Sequence, residues 1–198
     1  MITFLQGTLV EKEPDRAVIN VGGVGYEVLI PLSSYDRLPM AESPVKLLTY
    51  HHVREDAQIL YGFATEAERD MFNRLLSVSG VGPKLALTAL SGLSVRELKV
   101  SIVGADIKRL SGISGIGKKT AERMVVELKD KFSAGEALEA TAGVDETMPG
   151  EVRLRDTVMA LISLGYKQVE ALKLARAAAE KLGPDAPVED LIRRSLAR

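Results

Sequence analysis

The chain has 198 residues, of which 46% are hydrophobic, 27% are charged and none is cysteine. This length suits one large domain or two to three small ones, and the lack of cysteine excludes a disulfide framework and a cysteine-based zinc or iron–sulfur site. The net charge of −1 argues at first against a nucleic-acid partner, but residues 64–132 carry 12 basic and 8 acidic side chains, and salt screening makes charge act locally, over about 8–10 Å.

Residues 1–63 are predicted to form a small β-barrel. Runs rich in Val, Ile, Leu and Tyr alternate with turn-forming residues such as Gly22-Gly23. The predicted strands are residues 2–10, 17–21, 26–30, 45–53 and 58–63. Five short strands in about 60 residues favour an OB-type barrel, and strand spacing leaves an SH3-like barrel open as the alternative.

Residues 64–132 change to a helical pattern. Thr65 with Glu68, and Ser94 with Glu97, have the spacing of capping boxes, and Pro83 stands where a first helical turn tolerates proline. Five short helices are predicted, at residues 65–77, 83–91, 94–103, 106–111 and 118–132.

The last third of the chain is predicted to contain a linker and a helical module. Residues 133–151 hold five acidic and no basic side chains and few large apolar ones, which predicts a flexible acidic linker. A poorly packed helical extension across residues 135–142 is the alternative. Residues 152–198 are predicted to form three helices, at 152–164, 168–182 and 188–197. The predicted fold class is therefore α+β.

A Ser-Gly-x-Gly sequence occurs twice, at residues 79–82 (SGVG) and 114–117 (SGIG), each time before a helix that carries lysine. Glycine permits a tight turn and lets a phosphate approach the main chain, while a helix N-terminus offers N–H groups and a partial positive charge. We therefore expect the repeat to bind the phosphates of a nucleic-acid backbone, with Val81 and Ile116 pointing inward as anchors.

These glycines have two other interpretations. Gly112-x4-Gly117-Lys118 nearly fits the phosphate-binding loop of ATPases, but Lys119 stands where that loop needs Ser or Thr to hold Mg²⁺. The glycines could also serve only to end one helix and begin the next. The occurrence of the motif in two copies and the nearby lysines argue against that role. The neighbouring His51 and His52 point to opposite faces of a predicted strand, so they cannot chelate one metal together.

The paired turns resemble tandem helix-hairpin-helix DNA-binding units, and the chain, apart from the linker at residues 133–151, resembles the RuvA family of Holliday junction-binding proteins. The resemblance rests on residues 21–28 (VGGVGYEV), 53–63 (VREDAQILYGF), 80–87 (GVGPKLAL) and 115–123 (GIGKKTAER). It implies an OB barrel followed by the hairpin pair, in a homotetramer, or a face-to-face octamer, on a four-way DNA junction. It also implies a mobile third domain that recruits the hexameric ATPase RuvB, with the resolvase RuvC as a further partner.

The resemblance also assigns roles to individual residues. The phosphate contacts it implies are Gly80, Gly82, Lys84, Gly115, Gly117, Lys118, Lys119 and Arg123. Glu55 and Asp56 match an acidic pin at the junction centre, although such a turn is otherwise simply solvated. Leu161, Leu164, Gly165 and Tyr166 match the motor-binding region, whose Leu-Gly-Tyr turn resembles ubiquitin-associated domains. Core packing is the alternative role for Leu161 and Leu164.

The resemblance implies a non-catalytic subunit with no cofactor and no metal site, in which the partner hydrolyses ATP. A helix-hairpin-helix nuclease or glycosylase would need a catalytic cluster, which the sequence does not show, and a general duplex or single-strand binder is a third class. No apolar run reaches 18 residues, and the first residues lack the features of a signal peptide, so no membrane association and a cytoplasmic location are expected.

Overall fold

The computed structural model describes residues 1–132, 149–166, 168–183 and 186–196. The chain divides into two compact units, residues 1–128 and residues 129–198. The predicted linker, apart from its last three residues, lies outside the described residues.

The first unit begins with a closed five-stranded barrel, as predicted. Its strands follow the order β1-β2-β3-β5-β4, and every neighbouring pair is antiparallel except β3 and β5. The strands are β1 (Phe4–Glu13), β2 (Arg16–Val21), β3 (Val24–Leu29), β4 (Pro44–Val53) and β5 (Gln58–Phe63). This barrel, together with the helices that follow it, confirms the α+β fold class and the OB-type prediction.

Strand β1 is longer than predicted from the sequence because it pairs with two neighbouring strands. Its first half pairs with β4 and its second half with β2, and the pairing with β2 has an irregularity in register between Leu9 and Glu11. The prediction ended the strand at Val10, before a charged stretch. In the structure the Arg16 guanidinium donates hydrogen bonds to the carboxylates of Glu11, Glu13 and Glu27, at 3.0, 2.8 and 3.3 Å, which lets acidic side chains share the outer face of the barrel.

The barrel interior is apolar, and Tyr35 of a short helix and Leu38 at the end of that helix pack with it. Alternate strand residues point inward, as a period of two requires. The core residues are Leu5, Leu9, Ala17, Ile19, Val28, Ile30, Leu38, Leu47 and Leu60. Helix α1 (Leu32–Arg37), between β3 and β4, was not predicted from the sequence.

Five helices complete the first unit and match the predicted ones within a few residues. They are α2 (Glu66–Leu76), α3 (Pro83–Gly92), α4 (Val95–Val103), α5 (Ile107–Ser111) and α6 (Lys118–Leu128). Both capping boxes are present, at the starts of α2 and α4. Hydrogen bonds from Ser94 hold the pKa of Glu97 below its ordinary value. The last predicted helix ends four residues early, at Leu128, and a 3-10 turn (Lys129–Lys131) follows.

The described part of the second unit contains three α-helices around a small core. They are α7 (Pro149–Ser163), α8 (Gln168–Leu182) and α9 (Val188–Leu196), so α7 starts three residues before the predicted position. Buried Val158 and Leu161 of α7 pack against Ala171 and Ala175 of α8. The alanines allow the two helices to approach closely.

Candidate nucleic-acid interface

The two Ser-Gly-x-Gly segments form turns with the same main-chain hydrogen bonds. In the first turn the Val81 N–H donates to the Val78 carbonyl at 3.0 Å, and in the second the Ile116 N–H donates to the Ile113 carbonyl at 3.0 Å. Val81 and Ile116 are 5% and 3% exposed, so both anchor their turns in the interior, as predicted. The sequence repeat is therefore also a structural repeat.

The glycines of each turn have two different tasks. Gly80 and Gly115 have φ of 86° and 80°, in the left-handed region that other residues rarely adopt. At Gly82 and Gly117, by contrast, an added Cβ would meet no protein atom within 4 Å. The second glycine of each turn thus leaves open space above the main chain where the next helix begins.

Exposed lysines surround these helix starts. Lys84 lies in the first turn of α3, and Lys118 and Lys119 lie in the first turn of α6. The Lys118 Nζ is 3.9 Å from the Glu122 carboxylate, but the lysine side chain is 80% exposed and such pairs are weak. At the start of α3 no side chain caps the helix. Main-chain N–H groups, the helix dipole and the lysine charges can therefore act together on an anion.

Arg123, expected to contact phosphate, also links the two hairpins. Its Nη1 donates to the Ser79 carbonyl at 3.4 Å, and the Glu127 carboxylate accepts from the Ser79 N–H at 3.1 Å. These bonds tie α6 to the first glycine turn. Glu127 was not among the residues predicted from the sequence, although an acidic residue four positions after an arginine places both side chains on one helix face.

Glu55 and Asp56 lie at the tip of the hairpin formed by β4 and β5. The turn is closed by the Arg54 N–H, which donates to the Ala57 carbonyl at 2.8 Å. Both acidic side chains are exposed. Within the described residues, neither carboxylate accepts a hydrogen bond or pairs with a basic side chain. The tip therefore presents two uncompensated negative charges.

A layer of aromatic side chains supports the two strands of this hairpin. Phe72 of α2 is fully buried, and its ring centroid lies 5.4, 5.3 and 4.8 Å from those of Tyr50, Tyr61 and Phe63. His52 lies two residues nearer the tip than Tyr50, and its ring stacks on the Tyr50 ring with the centroids 6.1 Å apart. Burial raises the pKa of Tyr61 above its ordinary value. The strand ends that carry the acidic turn are thus held by a packed aromatic layer.

The structure separates the four residues of the expected motor-binding region. Helix α7 ends in a Schellman motif: the Gly165 N–H donates to the Ile162 carbonyl at 2.9 Å, and the Tyr166 N–H donates to the Leu161 carbonyl at 3.1 Å. This geometry places Leu161 in the core and packs part of Tyr166 against it, but leaves Leu164 60% exposed. Leu164 and Gly165 are the members of the set at the surface.

The described residues offer neither a cluster of metal ligands nor a membrane-spanning helix. No three His, Cys, Asp or Glu side chains in that part of the chain are placed to hold a metal ion. No helix in the described ranges is long and apolar enough to cross a membrane.

Comparison with known proteins identifies the family. Three family models match: the RuvA N-terminal domain over residues 1–62, a SAM-like helix-hairpin-helix tandem over 72–130, and the RuvA C-terminal domain over 152–198. The chain is 46% identical over 198 residues to the Holliday junction branch migration complex subunit RuvA of Syntrophotalea carbinolica, covering 99% of this chain and 98% of that protein. It is 48% identical over 201 residues to the subunit of the same name from Pseudomonas syringae pv. syringae, covering 99% and 98%. With each of its three folded segments matched and nearly its whole length aligned, the chain belongs to the RuvA family.

Proposed function

We propose that this protein binds four-way DNA junctions as a homotetramer and holds them open for an ATP-driven partner. Its relatives are named as subunits of a Holliday junction branch migration complex. The observation in this chain that carries the proposal is the pair of glycine turns. Each combines a left-handed glycine, a second glycine open to solvent, and exposed lysine at a helix start.

Each turn is suited to one stretch of DNA backbone. A phosphate that approaches the second glycine meets the N–H groups and dipole of a helix N-terminus, with lysine charge alongside. Such contacts position a duplex without reading its sequence, which suits a protein that must act at junctions of any sequence. The proposed contacts are Gly80, Gly82, Lys84, Gly115, Gly117, Lys118, Lys119 and Arg123.

The acidic turn would repel the DNA backbone, whereas the glycine turns would attract it. In a fourfold assembly, two carboxylates from each of four subunits would gather at the junction centre. Two unit charges 4 Å apart in a water-like medium repel each other by about 1 kcal/mol, and the four turns act together. Glu55 and Asp56 would therefore oppose the entry of continuous duplex and direct separated strands into different arms.

The third module is proposed to recruit the motor. Leu164 projects from the end of α7, and an exposed apolar side chain on a rigid turn suits a docking contact. Gly165 permits that turn, while Tyr166 and Leu161 hold it in place. In this scheme the subunit is non-catalytic, the hexameric RuvB ATPase supplies the work, and RuvC is a further partner. The proposed location is the cytoplasm.

The decisive experiment compares a synthetic four-way junction with linear duplex of the same arm sequence. Gel-shift titrations over a salt series, with and without Mg²⁺, should show a strong preference for the junction and no cleavage. Light scattering should give the mass of a tetramer. Equal affinity for the two DNAs would refute the junction assignment, and Mg²⁺-dependent cleavage would indicate a nuclease.

A further inference from the structure

The arginine beside the acidic turn does not pair with it. Arg54 immediately precedes Glu55 and Asp56, yet its Nε donates to the Nε2 of His52 at 2.9 Å. Arg54 directly follows β4, and its N–H bond to the Ala57 carbonyl continues the pairing with the neighbouring strand, so its side chain lies on the same face as that of His52, two residues earlier. Among the described residues, His52 is the hydrogen-bond partner of the Arg54 side chain.

His52 is a preorganised acceptor. Its ring stacks on Tyr50 with an interplanar angle of 26° and meets the edge of Tyr61 at 6.4 Å. Those two tyrosines rest on buried Phe72. The lone pair of its Nε2 accepts the hydrogen bond from the Arg54 Nε.

We propose that His52 is a positioning residue for the acidic turn: it holds the Arg54 guanidinium on the aromatic face and so leaves Glu55 and Asp56 uncompensated. Once its bond to His52 is lost, the guanidinium can pair with a carboxylate instead, because such a charged bond is strong and can be bidentate. An arginine freed from His52 is within one or two residues of both carboxylates. Its charge would then cancel part of the repulsion that selects junctions over duplex.

This inference rests on the proposed function of the acidic turn, and the experiment separates the two. The measured quantity is the ratio of the Kd for linear duplex to the Kd for a four-way junction, at low salt. The variants are His52→Val, Arg54→Gln, their combination, and a Glu55→Gln/Asp56→Gln double variant. His51→Val is the matched control, because it removes a neighbouring imidazole that points to the other face of the same strand.

His52→Val is expected to reduce the ratio about three- to five-fold, which is the upper part of the range that an exposed ion pair covers. The reduction should vanish when Arg54→Gln is the background, since no guanidinium remains to be released. His51→Val should retain the wild-type ratio. Circular dichroism melts confirm that each variant is folded.

Three outcomes overturn the inference. A wild-type ratio for His52→Val would show that Arg54 does not need restraint. The Kd ratio of His52→Val is compared with that of the wild type, and the ratio of His52→Val/Arg54→Gln with that of Arg54→Gln. An equal fall in both comparisons would show that His52 acts through packing alone. If the double carboxamide variant keeps the wild-type ratio, the function proposed for the acidic turn fails, and the inference fails with it.

Discussion

Replacing the second glycine of each turn by alanine should separate DNA binding from folding. Gly82 has φ of −90° and ψ of 173°, which alanine adopts without strain, and Gly117 lies outside the left-handed region. At both positions the added methyl group would meet no protein atom within 4 Å. The fold should therefore tolerate Gly82→Ala and Gly117→Ala.

The expected effects on stability and on affinity differ in size. Alanine restricts the unfolded chain, which favours folding by about 0.4–1 kcal/mol, but it is a poorer N-cap than glycine at position 82, so the two effects offset and stability should change by less than about 1 kcal/mol. A methyl group in the path of a phosphate would remove a charge-assisted hydrogen bond worth about 1.5–3 kcal/mol. Junction affinity should therefore fall at least about tenfold for each altered turn.

Fluorescence anisotropy with a labelled junction gives the affinity, and urea unfolding gives the stability. Gly80→Ala and Gly115→Ala are the matched comparison, because their positive φ should make alanine cost about 1 kcal/mol of stability. Wild-type junction affinity in Gly117→Ala would refute the reasoning, since it would show that no phosphate approaches the main chain there.

Three further predictions concern charge and docking. Lys118→Ala combined with Lys119→Ala should lower the slope of log K against log salt by about 0.9 for each phosphate that the two lysines neutralise, measured by the same titration. Hydrogen bonds from Ser94 lower the pKa of Glu97. The free energy of unfolding of the wild type should therefore exceed that of Glu97→Gln by its full amount above pH 4.5, and the difference should fade as the pH falls through the lowered pKa. Urea unfolding at several pH values measures this difference. Leu164→Asp should abolish pull-down of RuvB while changing the free energy of unfolding by no more than about 0.5 kcal/mol.

The features that sequence predicted best are those fixed by residues close together in the chain. The glycine turns and the capping boxes depend on spacings of two or three residues, and their geometry is as expected. Helix α1 lacked such signals. It has six residues, its cap residue Pro31 makes no side-chain hydrogen bond, and its buried residue is the polar Ser34.

The features that sequence did not predict depend on residues far apart. The bond from Arg123 to Ser79 spans 44 positions, so nothing local indicated that Arg123 joins the hairpins. Periodicity placed both Leu161 and Leu164 on an apolar helix face, and only the Schellman ending of α7 decides that one is buried and the other exposed.

A buried carboxylate helps to fix the barrel, which carries the acidic turn, to the helices that carry the glycine turns. Glu68 of α2, 4% exposed, accepts hydrogen bonds from the Ser33 and Ser34 hydroxyls of α1 at 2.5 and 2.9 Å, and from the Thr65 N–H at 3.1 Å. A buried network of this kind is costly to break, because each group left unpaired loses about 1–3 kcal/mol. The barrel is thereby fixed to the helix that leads into the first glycine turn. The proposed attraction at the glycine turns and the proposed repulsion at the acidic tip would then act on DNA at one set distance, whereas a joint free to bend would let the tip move away from the phosphates that we propose it excludes.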